Sequence, residues 1–160
     1  MNETETLRIS KKAVAVDLTL AGGQPRHVEI FLAEQRANEF RRQDVLDLLE
    51  HEHAFLPVQD PGSPVREIIN KDALLWIGVP LNPLGTETDA PEELFEFRRP
   101  VRVELVGAGA LEGDLLYSAP QESTRLVDHL NETGRFLRLW AKDSLYLINK
   151  TFVLRIIETD

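Results

Sequence analysis

The chain has 160 residues, 42% of them apolar, enough for one ordinary domain or two very small ones with a buried core. Lysine and arginine number 18 against 27 aspartates and glutamates, and the resulting net charge of −9 opposes nonspecific attraction to phosphate polymers and anionic lipid. With no cysteine, a disulfide framework, a cysteine-based zinc site and a thiol nucleophile are excluded together. The first twelve residues are polar, and no apolar run approaches a secretion signal or a membrane span, so a cytoplasmic protein with no membrane partner is the expectation.

In chain order, Val14, Val16, Leu18 and Leu20 alternate with polar or small residues and predict a half-buried strand. Gly22-Gly23 turns it into a second strand carrying Val28, Ile30 and Leu32. Val45, Leu48 and Leu49 recur at helical spacing. Strands follow at residues 54–58 and 67–70, then a tight turn at Asn70-Lys71-Asp72 and a last strand at 73–79. Residues 80–91, with prolines at 80, 83 and 91, Gly85, Glu87 and Asp89, have the composition of a linker.

After the linker the pattern recurs. Residues 100–105 (PVRVEL) match 13–18 (AVAVDL), and 126–131 (LVDHLN) match 45–50 (VLDLLE). Phe136-Leu137 matches Phe55-Leu56, Leu147 to Lys150 match Ile68 to Lys71, and Arg98-Arg99 stands where the first copy has Lys11-Lys12. In the second copy Ser123 is placed to cap the helix and Gly134 to end it. The predicted fold is mainly β with one helix per repeat. It comprises tandem duplicated, small β-barrel-like β-β-α-β-β-β units, residues 5–79 and 92–160, packed as a pseudo-symmetric pair across the 80–91 linker. Each unit alone would bury little core, so the two are expected to pack together.

The turns Ile69-Asn70-Lys71 and Ile148-Asn149-Lys150, each joining the last two strands of a small β-unit, resemble the Sm-like small barrel, in which an Ile-x-Gly turn takes that place. The resemblance implies a curled five-stranded sheet and, in that family, RNA binding. Here a helix replaces the Asp-x-x-Asn base-binding loop between the second and third strands, so no residue of that loop carries over. The chain also resembles a group of bacterial domains sharing Arg-Leu-x-Asp-x-Leu-Asn, Phe-Leu and Ile-Asn-Lys, matched here at residues 125–131, 136–137 and 148–150. That resemblance implies no particular activity.

Several polar groups are candidate sites. Asn70, Lys71, Asn149 and Lys150 occur in both copies, and a lysine on a rigid turn could hold a carboxylate or phosphate. The structural alternative is an asparagine closing the turn beside a lysine that keeps a strand edge soluble. Arg98, Arg99 and Arg102 have the Arg-x-x-x-Arg spacing that resembles the entry motif of PilZ cyclic-dinucleotide receptors, but the partner Asp-x-Ser-x-x-Gly motif is missing. Pairing of these arginines with Glu92, Glu93 and Glu96 is the simpler expectation.

His51 and His53 stand two residues apart, too far around a helix to share a metal. His53, opposite Gly134 in the repeat, is expected in a left-handed helix-ending turn. The Gly107 to Gly113 stretch reads as a hairpin turn, since no helix follows to receive a phosphate. No metal site or cofactor is expected. Trp76 and Trp140 match Arg155 and Gln59, so Trp76 is expected to face outward, at an interface either with a partner or between the halves.

No paired catalytic carboxylates, Gly-x-Ser-x-Gly, His-Glu-x-x-His or phosphate loop occurs. The expected function is therefore a noncatalytic binding or regulatory adaptor that engages another protein. An Sm-like RNA-binding protein and a PilZ-like nucleotide sensor are the alternatives. A homodimer would follow if the outer strands had open edges, and nucleic acid is an unfavoured partner.

Overall fold

Apolar alternation sets up the first hairpin: β1 (Lys11–Leu20) pairs antiparallel with β2 (Arg26–Ala33), and Val16, Leu18, Val28 and Ile30 all point to the buried side. The computed structural model describes residues 11–33, 41–81, 95–118, 125–132 and 134–159. Gly22 closes the turn with a positive φ of 77°, a conformation that side chains with a Cβ adopt rarely. The chain continues through α1 (Arg41–Glu50), β3 (Phe55–Gln59) and β4 (Arg66–Asn70), then a single 3-10 turn at Lys71–Ala73 and β5 (Leu74–Pro80).

The C-terminal half follows the same order. β6 (Phe97–Leu105) and β7 (Ala110–Tyr117) form a hairpin, α2 (Leu126–Glu132) and β8 (Phe136–Trp140) follow, and β9 (Ser144–Asn149) leads through a 3-10 turn at Lys150–Phe152 into β10 (Val153–Glu158). Of the expected 107–113 turn only the start is a turn, with Gly107 and Gly109 at φ of 70° and 73°, and Ala110 to Gly113 already belong to β7. Ser123 and most of the expected linker lie outside the described residues, although Pro80 itself ends β5.

All ten strands join one antiparallel sheet in the order β10-β6-β7-β8-β9-β5-β1-β2-β3-β4. The fold is mainly β. Both halves order their strands alike, β5-β1-β2-β3-β4 and β10-β6-β7-β8-β9. Each also has one register shift where its first and last strands meet, Leu20 opposite Leu74 and Leu105 opposite Val153. The strand pairing thus equates Leu20 with Leu105, two residues off the sequence match, which set Leu18 against Leu105. Apolar alternation repeats every second residue, so pattern alone tolerates a slip of two.

The halves are joined by β5 and β9, which pair from Trp76 opposite Ile148 to Pro80 opposite Ser144. This seam is buried on both faces. From β5, Leu74, Ile77 and Val79 enter a first core with Val16, Leu18, Val28, Ile30 and Leu49, while Leu75 and Trp76 enter a second core with Val101, Val103, Leu115 and Leu139. From the other side, Phe136, Leu145 and Leu147 enter the first core and Leu137 and Ile148 the second. A strand buried on both faces needs an unbroken apolar run, which Leu74 to Val79 supplies. Gly113 lets β7 and β8 approach closely, since a Cβ there would stand 2.6 Å from the carbonyl oxygen of Trp140.

Candidate functional site

The two Asn-Lys turns are built alike. The Asn70 side chain accepts from the Asp72 N–H at 2.9 Å, and Asn149 accepts from the Thr151 N–H at 3.0 Å, each closing its 3-10 turn. The lysines turn inward. Lys71 Nζ donates to the carbonyl oxygens of Leu48 at 2.6 Å and His51 at 3.3 Å, at the C-terminal end of α1, and Lys150 Nζ donates to Leu130 of α2 at 2.5 Å. A helix C-terminus leaves carbonyls without intrahelical partners and carries partial negative charge, so each ammonium completes a helix end. Lys71 is buried, and burial, reinforced by Arg135, lowers its pKa from the ordinary lysine value. Lys71 is thereby withdrawn from solvent, and the partly buried Lys150 is engaged in the same way at its own helix end.

Two of the three arginines are engaged with acids. Arg98 Nε donates to Asp114 at 3.0 Å, and Arg102 donates to Glu104 and Glu112, both at 3.3 Å. Arg99 turns to the other face and lies over the Phe97 ring. The acids come from the hairpin itself because Arg102 stands directly opposite Glu112 on β7. Glu92 and Glu93 lie outside the described residues, and Glu96 donates its backbone N–H to the Ser118 hydroxyl. Arg98 and Arg102 are thus each engaged with acids of their own hairpin.

Trp76 does not face outward. It is buried in the second core, edge-on to Tyr146 at 5.1 Å between ring centroids, because β5 continues into the pairing with β9 and has no solvent face there. Its counterpart Arg155 lies on the outer strand β10, where one flank is open. Trp140 is half-buried and packs against the first core. Both indoles therefore lie by the seam. His51 and His53 are exposed with rings 4.2 Å apart, but no group of three metal-ligating side chains occurs among the described residues. His53 has no left-handed backbone; every positive φ among the described residues belongs to glycine.

No protein family, curated protein or solved structure matches this chain.

A cleft of about 370 Å³ opens between the helices, lined by Leu46, Glu50, His129, Leu130, Phe136 and Arg138 among others. Burial, then the nearby Arg138 and Lys150, lower the His129 pKa, and its ring stacks on Tyr117 at 4.7 Å. The Glu50 carboxylate, the one acid in the lining, accepts from the backbone N–H groups of Arg135 at 3.0 Å and Phe136 at 2.9 Å. It is a structural clamp between the halves, accommodated because residue 134 is glycine: a Cβ there would stand 2.4 Å from Glu50 Oε2. Among the described residues, the cleft brings together no free acid with a base.

The remaining feature is the pair of sheet edges. Among the described residues, β4 and β10 each have a strand neighbour on one side only. The exposed large apolar side chains Val65 and Ile68 flank or lie on β4, Phe55 lies on its neighbour β3, and Leu154 lies on β10. The sequence reading missed these residues. The usable signal was in the repeat: Phe55 and Ile68 match Phe136 and Leu147, apolar at the same places in both copies.

Proposed function

We propose that this chain is a noncatalytic binding module, built as a tandem pair of like, small barrel-like units, that engages another protein by strand addition at its open sheet edges. The single observation that carries this reading is the exposure of Phe55, Val65, Ile68 and Leu154 at the two ends of the sheet. An unpaired strand presents a row of backbone donors and acceptors, and apolar side chains beside it supply the area that holds an added strand. The matching strand orders of the halves and their Asn-Lys turns support the paired-unit reading. The RNA-binding alternative draws no support from Lys71 and Lys150, whose ammonium groups are spent on helix carbonyls. The nucleotide-sensing alternative draws none from Arg98 and Arg102, which are paired with acids.

A photo-reactive phenylalanine analogue at position 68, with the same probe at exposed Val127 on α2 as control, tests this in cells. Position 68 is expected to give a crosslinked protein band of defined mass that position 127 lacks. No band at 68, or the same ladder from both positions, would overturn the reading.

A further inference from the structure

We propose that the protein added at these edges is a second copy of this chain, joined head to tail: β4 of one molecule pairs with β10 of the next, in the register that β9 and β5 keep within the chain. This rests on the strand-addition reading and names its partner.

The internal seam joins the fourth strand of one half, β9, to the fifth strand of the other, β5. The strands left unpaired are a fourth and a fifth, β4 and β10. The molecule therefore carries both members of a joint it already makes once.

The side chains at the free edges match those the seam buries. Phe136 is 2% exposed at the seam, whereas Phe55, which holds the same place opposite the Asn of its turn, is 61% exposed. Leu147 is 0% exposed and its counterpart Ile68 is 70%. On the other strand, Leu75 is 1% exposed and its counterpart Leu154 is 65%. In the seam, Phe136 and Leu147 reach into the first core, and Leu75 into the second. A repeat of the seam would seat Phe55 and Ile68 against the second core of a neighbouring molecule, and Leu154 against the first core of its partner.

Transposing the seam register sets Ile68 opposite Ile156 and Arg66 opposite Glu158, an apolar pair and a pair of opposite charges. A polar contact transposes as well. Asn149 Nδ2 donates across the seam to the Leu74 carbonyl oxygen at 2.9 Å, and Asn70 has the same turn geometry with Val153 as the matching carbonyl.

Three seam contacts have no like counterpart. Asn131 stands for Glu50, Ala54 and Thr151 stand for the ion-paired Arg135 and Asp72, and Glu67 and Arg155 stand for the edge-on rings Tyr146 and Trp76. The joint between molecules is therefore weaker than the one within, and assembly is reversible. Because its two sides differ, the joint is heterologous. It produces a ring if the rotation per molecule closes and a filament if it does not, and it does not produce a two-fold dimer.

Sedimentation of the purified full chain at high micromolar concentration tests this directly. Wild type is expected to sediment as a multimer. Arg66→Glu is expected to raise the dissociation constant by about tenfold or more, and Arg66→Glu with Glu158→Arg to restore assembly. A monomeric wild type would overturn self-pairing, while a position-68 crosslink to a different protein would still uphold strand addition. Because the chain lacks cysteine, Arg66→Cys and Glu158→Cys molecules can be prepared separately, mixed and oxidised. A disulfide between the two species in the mixture is the expected product. A disulfide within either species alone, marking a two-fold arrangement, would overturn the head-to-tail joint.

Discussion

The seam between β5 and β9 and the outer edges at β4 and β10 use matching residues in opposite circumstances. At the seam, Leu147 and Leu75 are buried in two different cores; at the edges, Ile68 and Leu154 meet solvent. The local sequences are similar, so the difference lies in whether a neighbouring strand is present. Burial here is a property of strand pairing rather than of residue type, and the seam is where the apolar transfer term is realised.

The largest expected break in this comparison is a cavity at the seam. Leu147→Ala should lower unfolding stability by ~2–5 kcal/mol, since its side chain is buried in a close-packed core. Ile68→Ala, measured by urea unfolding of dilute protein, should stay within about 0.5 kcal/mol of wild type, because an exposed side chain loses little on truncation. Equal effects at the two positions would erase the distinction between seam and edge.

Next come the helix ends. Lys71→Met leaves the Leu48 and His51 carbonyl oxygens without their ammonium donor and should cost about 1–3 kcal/mol in the same assay. The same change at Lys150, which is only partly buried, should cost less. A smaller loss, about 1–2 kcal/mol, is expected from Glu50→Ala, which strips the backbone N–H groups of Arg135 and Phe136 of their acceptor. Asn131→Ala, at the matching place in the C-terminal half, should be near neutral in the isolated chain. A cost at Asn131 equal to that at Glu50 would show that the clamp is not confined to the seam.

The smallest effect concerns pH. Burial lowers the folded-state pKa of His129, so the unfolded chain binds more protons as pH falls below the ordinary histidine value of about 6.5. The contribution of this histidine to stability is therefore present above that value and is lost as pH drops toward the folded pKa. His129→Phe keeps the stacking on Tyr117 and should flatten this part of the wild-type profile, read from melting temperatures on either side of the window. An unchanged slope would place the titrating group elsewhere.

Much of the fold could be read from particular residues. Val14 to Leu20 and Val28 to Leu32 alternate with the strand period, and the repeated Asn-Lys turns mark the ends of β4 and β9. The candidate sites were less legible. Lys71 and Lys150 carry the same charge whether they face a ligand or a helix end, and only the approach of α1 and α2 to those turns distinguishes the two. Trp76 against Arg155 suggested an outward position because one half was compared with the other, although β5 gains a partner strand in β9 where β10 has none.

By itself the sequence determined the strand and helix periods, the order of elements in each half and the turn chemistry, because these depend on contacts among residues near in the chain. The tertiary structure alone decided which strand became the two-faced seam, where the lysines point and which apolar residues stay exposed. Those outcomes depend on pairings between residues far apart in the chain, such as Trp76 with Ile148 and Glu50 with Phe136, and periodicity records nothing about such distant partners.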